Sequence, residues 1–128
     1  MLIIDDEPKL LRTYSILLGR EFEVVVVDDG AKALALLAED SAFDVIVCDL
    51  HMPGVDGIDI YQHLTIHAPE VAARVLFSTG SVFQARVMEF LSRNRVTLLE
   101  KPVHLEALVE TITRMLLIPP ISAASSSR

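Results

Sequence analysis

Several kinds of residue are scarce in this chain, and their scarcity narrows what it can be. Cys48 is the only cysteine among 128 residues, so no internal disulfide can form, which fits a reducing compartment such as the cytoplasm. No run of about 20 apolar residues occurs, so we expect no membrane-spanning helix. The short apolar run after Met1 is followed at once by acidic residues, which does not fit a signal peptide. Five glycines and six prolines leave most of the chain free to form regular structure.

Positive charge is also in short supply. Eleven Lys and Arg residues stand against 18 Asp and Glu residues, for a formal net charge of −7. Nucleic-acid backbones are bound mainly by Lys and Arg, so direct nucleic-acid binding is not expected. The acidic balance fits a divalent cation site or a soluble protein partner. Hydrophobic residues make up 52% of the chain, enough to fill the core of one domain at this length.

Short apolar runs alternate along the chain with longer segments of helical periodicity, five of each. The runs predict strands at residues 2–4, 24–27, 45–48, 75–77 and 96–99, and the longer segments predict helices at 8–19, 33–38, 58–64, 83–91 and 105–116. This alternation indicates an α/β domain with a parallel sheet covered on both faces. We expect one domain over residues 1–118, and a linker or disordered tail over 119–128, where two prolines and a Ser-rich stretch follow.

Polar residues follow all five predicted strands at the point where each strand ends. Asp28 and Asp29 follow the second strand, which we expect at an edge of the sheet, away from the centre. Asp5 and Asp6 follow the first, Asp49 the third, Thr79 the fourth and Lys101 the fifth. Open parallel sheets bind ligands outside the carboxyl ends of their strands, so we expect these side chains to converge. Any one of the acids could be only a turn residue or a helix cap. Their joint placement favours a functional site.

Three converging carboxylates repel one another unless a cation lies between them. A hard divalent ion such as Mg²⁺ prefers oxygen ligands of this kind. A carboxylate that contacts such an ion and also faces a lysine is suited to accept a phosphoryl group, because phosphoryl transfer depends on charge neutralisation and positioning. An aspartyl phosphate is a known type of covalent intermediate.

Several segments resemble the receiver domains of two-component response regulators, over residues 2–117. Residues 3–8 (IIDDEP) are similar to the opening strand and acidic pair of that family, and residues 49–57 (DLHMPGVDG) to its phosphoacceptor segment. Thr79 matches its hydroxyl position. Lys101-Pro102 matches its lysine and the following proline, whose peptide bond is usually cis in the family.

The resemblance implies a flavodoxin-like (βα)5 three-layer sandwich with strand order 2-1-3-4-5. It also implies a role for each matching residue: Asp49 as phosphoacceptor; Asp6, Asp49 and the backbone carbonyl of His51 as direct Mg²⁺ ligands; Asp5 as a ligand mainly through metal-bound water; Lys101 as a contact to the phosphoryl oxygens; and Thr79 as the hydroxyl that moves toward them. It further implies that His51, and more weakly Ser81, influences how fast water reaches the acyl phosphate.

One position departs from the family pattern. An aromatic residue often stands three positions before the lysine and swings inward on activation, but Leu98 stands there in this chain. Switching is therefore expected to depend on Thr79 and its loop. The segment around Leu98 resembles receivers attached to hybrid histidine kinases.

The predicted function is a phosphorylation-dependent signalling switch. It would accept a phosphoryl group from a histidine kinase or a histidine phosphotransfer protein and change the surface around its fourth predicted helix and fifth strand. It would promote only its own phosphorylation and slow dephosphorylation, without turning over a metabolite. Two alternatives remain: a receiver-like interaction module that is never phosphorylated, and a flavodoxin-like cofactor-binding enzyme, which the acidic, glycine-free loop after the first strand disfavours. The output and a homodimer are left open.

Overall fold

Five strands form one parallel sheet in the order β2-β1-β3-β4-β5. The computed structural model describes residues 1–117, so the predicted linker or tail over 119–128 lies outside the described residues. The strands are β1 (Leu2–Ile4), β2 (Val25–Val27), β3 (Ile46–Asp49), β4 (Val75–Thr79) and β5 (Thr97–Glu100). The helices are α1 (Pro8–Leu18), α2 (Gly30–Glu39), α3 (Gly57–His67), α4 (Pro69–Ala72), α5 (Ala85–Arg93) and α6 (Leu105–Leu117). The flavodoxin-like α/β fold and its strand order are confirmed.

The strands differ in burial according to their place in the sheet. Every residue of β1, β3 and β4 is buried, as continuous apolar runs predict for inner parallel strands. The edge strands β2 and β5 contain only exposed and half-buried residues. The expectation of strands buried on both faces therefore holds for the three central strands alone.

Alternate residues of the central strands face two separate hydrophobic cores. Ile4, Cys48 and Phe77 pack on one face against residues of α2, α3 and α5. Ile3 and Val47 pack on the other face against residues of α1 and α6. Because the side chains of a strand point to opposite faces in turn, the apolar runs fill both layers and position the strand ends between them.

Two local features differ from the sequence-based expectations. The short helix α4 was not predicted; it begins at a proline, which suits the first helical turn. The helix predicted at 83–91 begins only at Ala85, and Phe83 is 83% exposed. Its backbone N–H donates to the hydroxyl of Ser81 at 3.3 Å, a local turn that competes with helical bonding.

Within residues 1–117, no helix combines the length and the hydrophobicity that a membrane crossing requires.

The aromatic cluster on the α3 and α5 side of the sheet gives a stability prediction. Phe77 is fully buried, and its ring packs edge-on against Tyr61 and Phe90, each with ring centroids 5.7 Å apart. We expect Phe77→Ala to lower the free energy of unfolding by about 3–5 kcal/mol in urea denaturation, because the lost side chain leaves a cavity. Phe83→Ala is the matched control and should change it by less than about 0.5 kcal/mol. Equal losses in the two variants would contradict this packing.

Candidate functional site

Lys101 lies at the centre of a group of acidic side chains at the carboxyl end of the sheet. Its Nζ is 3.0 Å from Oδ2 of Asp49 and 3.1 Å from Oδ2 of Asp5. It also lies 3.4 Å from Oε1 of Glu7. The backbone N–H of Lys101 donates to the carbonyl of Thr79 at 2.7 Å, which ties the residue to the end of β4. The Lys101–Pro102 peptide bond is cis.

Three carboxylates meet beside this ammonium. Asp5, Asp6 and Asp49 each offer one oxygen, and these oxygens lie within 4.8 Å of one another. Asp5 and Asp49 are 2% and 4% exposed, and Asp6 is the most open of the three. We name Asp5, Asp6, Asp49 and Lys101 the acidic pocket. Clustered carboxylate oxygens are the ligands that hard divalent cations prefer, so the pocket could hold a metal ion.

The electrostatics of the pocket are set by burial and by opposite charges. Burial raises the pKa of Asp5, and the neighbouring charge of Asp49 raises it further, against the backbone N–H of Glu7 and the ammonium of Lys101, which lower it. Burial alone would lower the pKa of Lys101, but its hydrogen bonds and attraction to Asp49 and Asp5 outweigh that effect and raise it. Lys101 therefore remains a cation throughout the physiological pH range.

The loop after β3 is held close to the backbone of Asp49. The N–H of His51 donates to Oδ1 of Asp49 at 3.0 Å and orients the carboxylate. The N–H of Gly57 donates to the carbonyl of Leu50 at 3.3 Å. A Cβ atom at Gly57 would lie only 2.5 Å from the carbonyl oxygen of Asp49, so the start of α3 can approach the strand this closely only with glycine.

Thr79 is fully buried at the end of β4, and its hydroxyl is hydrogen-bonded to the backbone of Ser81. It donates to the carbonyl of Ser81 at 3.0 Å and accepts from the N–H of Ser81 at 3.2 Å. Nε2 of His51 lies 3.3 Å from the same carbonyl, a hydrogen bond in which the ring nitrogen donates. The structure thus places Thr79 and His51 together on the backbone of Ser81, at the edge of the acidic pocket.

Some of the contacts here were missed by the sequence reasoning. Glu7 contacts Lys101, a pairing that the opening acidic motif does not predict. The sequence pattern predicts a helix only from residue 58, whereas α3 begins at Gly57, and the position of Gly57 directly after the helix-capping Asp56 is the signal for that start. Arg86 pairs with Asp56 and Asp59, and no local pattern indicates that pairing. Cys48 is buried and burial raises its thiol pKa well above the usual value, as expected for an inert core residue.

The sequence model of one protein family, the response regulator receiver domain, matches residues 1–113. The chain belongs to the response regulator receiver family. This is a family of signalling domains rather than metabolic enzymes, and membership implies phosphorylation-based signalling.

Curated relatives and solved structures agree with the assignment. The receiver is 28% identical over 113 residues to the transcriptional regulatory protein GlrR of Escherichia coli K12. The aligned region covers 88% of this chain and 25% of GlrR. The receiver is 31% identical over 110 residues to the two-component response regulator ORR24 of Oryza sativa, which covers 84% of this chain and 17% of ORR24. The chain thus spans a quarter or less of the length of these relatives.

Two solved structures show the same architecture. A response regulator receiver domain protein from Clostridium thermocellum superposes with a TM-score of 0.78 and 26% identity, covering 90% of this receiver and 91% of that chain. The chemotaxis protein CheY4 of Vibrio cholerae superposes with a TM-score of 0.74 and 26% identity, covering 90% and 96%.

The raised pKa of Asp5 predicts that replacing this carboxylate with a neutral side chain stabilises the folded protein, by an amount that depends on pH. With a higher pKa in the folded chain than in the unfolded one, the folded state binds more protons and loses stability as the pH rises through that interval. With a chelator present to remove divalent cations, Asp5→Asn should therefore unfold at a higher urea concentration than the parent at pH 7. The advantage should shrink as the pH falls toward the ordinary aspartate pKa of about 4.

The exposed Asp44 provides the control for this experiment. Asp44→Asn should follow the parent across the pH range. A parent more stable than Asp5→Asn at pH 7 would contradict the unfavourable burial of this charge.

Proposed function

We propose that Asp49 accepts a phosphoryl group from a phosphohistidine of a histidine kinase or a histidine phosphotransfer protein. The observation that carries the proposal is the contact of the buried Asp49 carboxylate with Lys101 at 3.0 Å, beside Asp5 and Asp6. An oxygen of Asp49 would form the new bond to phosphorus while the bond from phosphorus to the imidazole nitrogen breaks. The electron pair of that bond would return to the imidazole.

The surrounding residues are suited to the charge that such a transfer develops. The ammonium of Lys101 is held in place by two carboxylates and would lie against the phosphoryl oxygens. Asp5, Asp6, Asp49 and the backbone carbonyl of His51 would hold Mg²⁺. When bound, the ion would neutralise charge on the phosphoryl group. The N–H of His51 keeps the Asp49 carboxylate oriented.

Thr79 is the residue through which phosphorylation would change the surface. Its hydroxyl donates to the carbonyl of Ser81, and a phosphoryl oxygen at Asp49 would compete for that proton as a charged acceptor. Reorientation of Thr79 would move the residues that lead into α5. The phosphoryl group would thus bias an equilibrium between two arrangements of the surface formed by α5 and β5.

The proposed unit of function is one receiver domain over residues 1–118. The acids after β1 would repel the phosphate of a flavin or nucleotide, so family membership and local charge together disfavour the cofactor-binding alternative. A module that is never phosphorylated has no need of the complete acidic pocket beside Thr79. The target controlled by the α5 and β5 surface is a partner or a further domain.

The proposal is tested by measuring the intact mass of the protein after incubation with acetyl phosphate and Mg²⁺. We expect one phosphoryl adduct on the parent and on the surface control Asp44→Asn. Asp49→Asn should show none, because an amide cannot form the acyl phosphate, and Lys101→Ala should show far less. An adduct that survives in Asp49→Asn, or a parent that stays unmodified, would refute the proposal.

The contact between His51 and Ser81 predicts an effect on the lifetime of the phosphoryl group. The imidazole of His51, two residues after the phosphoacceptor, is held at the carbonyl of Ser81, so we expect it to shield the acyl phosphate and His51→Ala to let water reach that group more readily. We expect His51→Ala to lose its phosphoryl group several times faster than the parent. The rate is measured as the loss of radiolabel from the purified phosphoprotein. His104→Ala, an exposed histidine just before α6, is the control. An unchanged rate for His51→Ala would remove this role.

A further inference from the structure

Arg86 connects the first turn of α5 to the beginning of α3. Its Nε and Nη2 each lie 3.3 Å from one oxygen of Asp56, a two-point contact with a single carboxylate. Nη2 also lies 3.0 Å from Oδ1 of Asp59. These ion pairs join residues that are 27 to 30 positions apart in the sequence.

The two carboxylates that bind Arg86 are themselves fixed in place. The side chain of Asp56 accepts from the N–H of Asp59 at 2.9 Å, and the side chain of Asp59 accepts from the N–H of Asp56 at 3.1 Å. This reciprocal pair caps α3. Gly57, which directly follows Asp56, lies so close to the backbone of Asp49 that no side chain would fit there. Arg86 is therefore anchored to a part of the chain that cannot shift without moving the phosphoacceptor strand.

Residues 80–86, which we name the switch segment, lead from the end of β4 into α5. Arg86 holds one end of this segment to α3. The other end is held at Ser81, whose carbonyl accepts from Thr79 and lies 3.3 Å from Nε2 of His51. Both His51 and Asp56 belong to the connection between β3 and α3. The switch segment, which would move with Thr79, thus contacts the β3–α3 connection at two points.

We infer that Arg86, with His51, restrains the switch segment in its observed place and so opposes the movement of Thr79 toward a phosphoryl group on Asp49. The inference rests on the proposed function of Asp49 and Thr79. Arg86 acts as a positioning residue through the segment and does not contact the acidic pocket. A restraint that stabilises only the observed arrangement makes the moved arrangement less populated. It therefore lowers the apparent affinity for any ligand that binds the moved arrangement better.

The exposure of the ion pairs limits the size of the effect. The Arg86 side chain is 56% exposed, and those of Asp56 and Asp59 are 18% and 43% exposed. A partly exposed pair contributes little alone, but a two-point contact shared with a second carboxylate contributes more. We expect a change of about three- to tenfold in affinity, weakened by salt, which screens exposed charges.

The test measures the affinity for beryllofluoride, a phosphoryl mimic, by calorimetry in Mg²⁺. Arg86→Gln should bind it about three- to tenfold more tightly than the parent. Arg86→Lys should fall between them, because it keeps the charge without the planar two-point geometry. Arg93→Gln is the matched control, since it breaks a pair with Glu89 inside α5 and should match the parent. The gap between parent and Arg86→Gln should narrow as salt is added.

Hydrogen exchange without beryllofluoride separates this inference from the proposed function. Amides of the switch segment should exchange faster in Arg86→Gln than in the parent and in Arg93→Gln. Faster exchange with no beryllofluoride binding by any variant would sustain the restraint and overturn the phosphorylation proposal. Binding by the parent with equal or weaker binding by Arg86→Gln, or with unchanged exchange, would overturn the restraint.

Discussion

The contact of the Lys101 ammonium with the carboxylates of Asp49 and Asp5 is the interaction on which the account of this site depends. Both acids are almost fully buried, and buried like charges are unfavourable unless an opposite charge accompanies them. One lysine does not balance three acids. Burial raises the pKa of Asp5, the neighbouring charge of Asp49 raises it further, and Lys101 offsets these effects only in part. A further cation, and then a phosphoryl group, are the chemical species that such a pocket is suited to accept.

The sheet topology makes this contact possible. Strands β1, β3 and β4 lie side by side at the centre, and β5 pairs with β4, so that residues from distant parts of the chain end at one edge. The hydrogen bond from Lys101 to the carbonyl of Thr79 sets the lysine beside the residue proposed to respond to phosphorylation. Two hydrophobic cores hold the strands from either side, which keeps the strand ends aligned.

Much of this arrangement could be predicted from the sequence, because it depends on local patterns with a general rule behind them. Apolar runs that end in Asp49 or Lys101 mark strand ends, and parallel strands bring such ends together. The pairing of Arg86 could not be predicted, since it depends on how two helices approach each other. The predicted start of α5 at Phe83 was wrong, because the backbone N–H of Phe83 donates to a serine side chain and this hydrogen bond competes with the helix. The attachment to a hybrid kinase suggested by Leu98 stays a prediction.

A crystal structure of the protein with Mg²⁺ and beryllofluoride is the most direct test of the central claim. We expect beryllium bonded to a carboxylate oxygen of Asp49, the Nζ of Lys101 against a fluorine atom, and the magnesium ion beside Asp6. We also expect the Thr79 hydroxyl to turn from Ser81 toward the beryllofluoride. Beryllium attached to another residue, or Lys101 still bound only to carboxylates with no ligand in the acidic pocket, would contradict it.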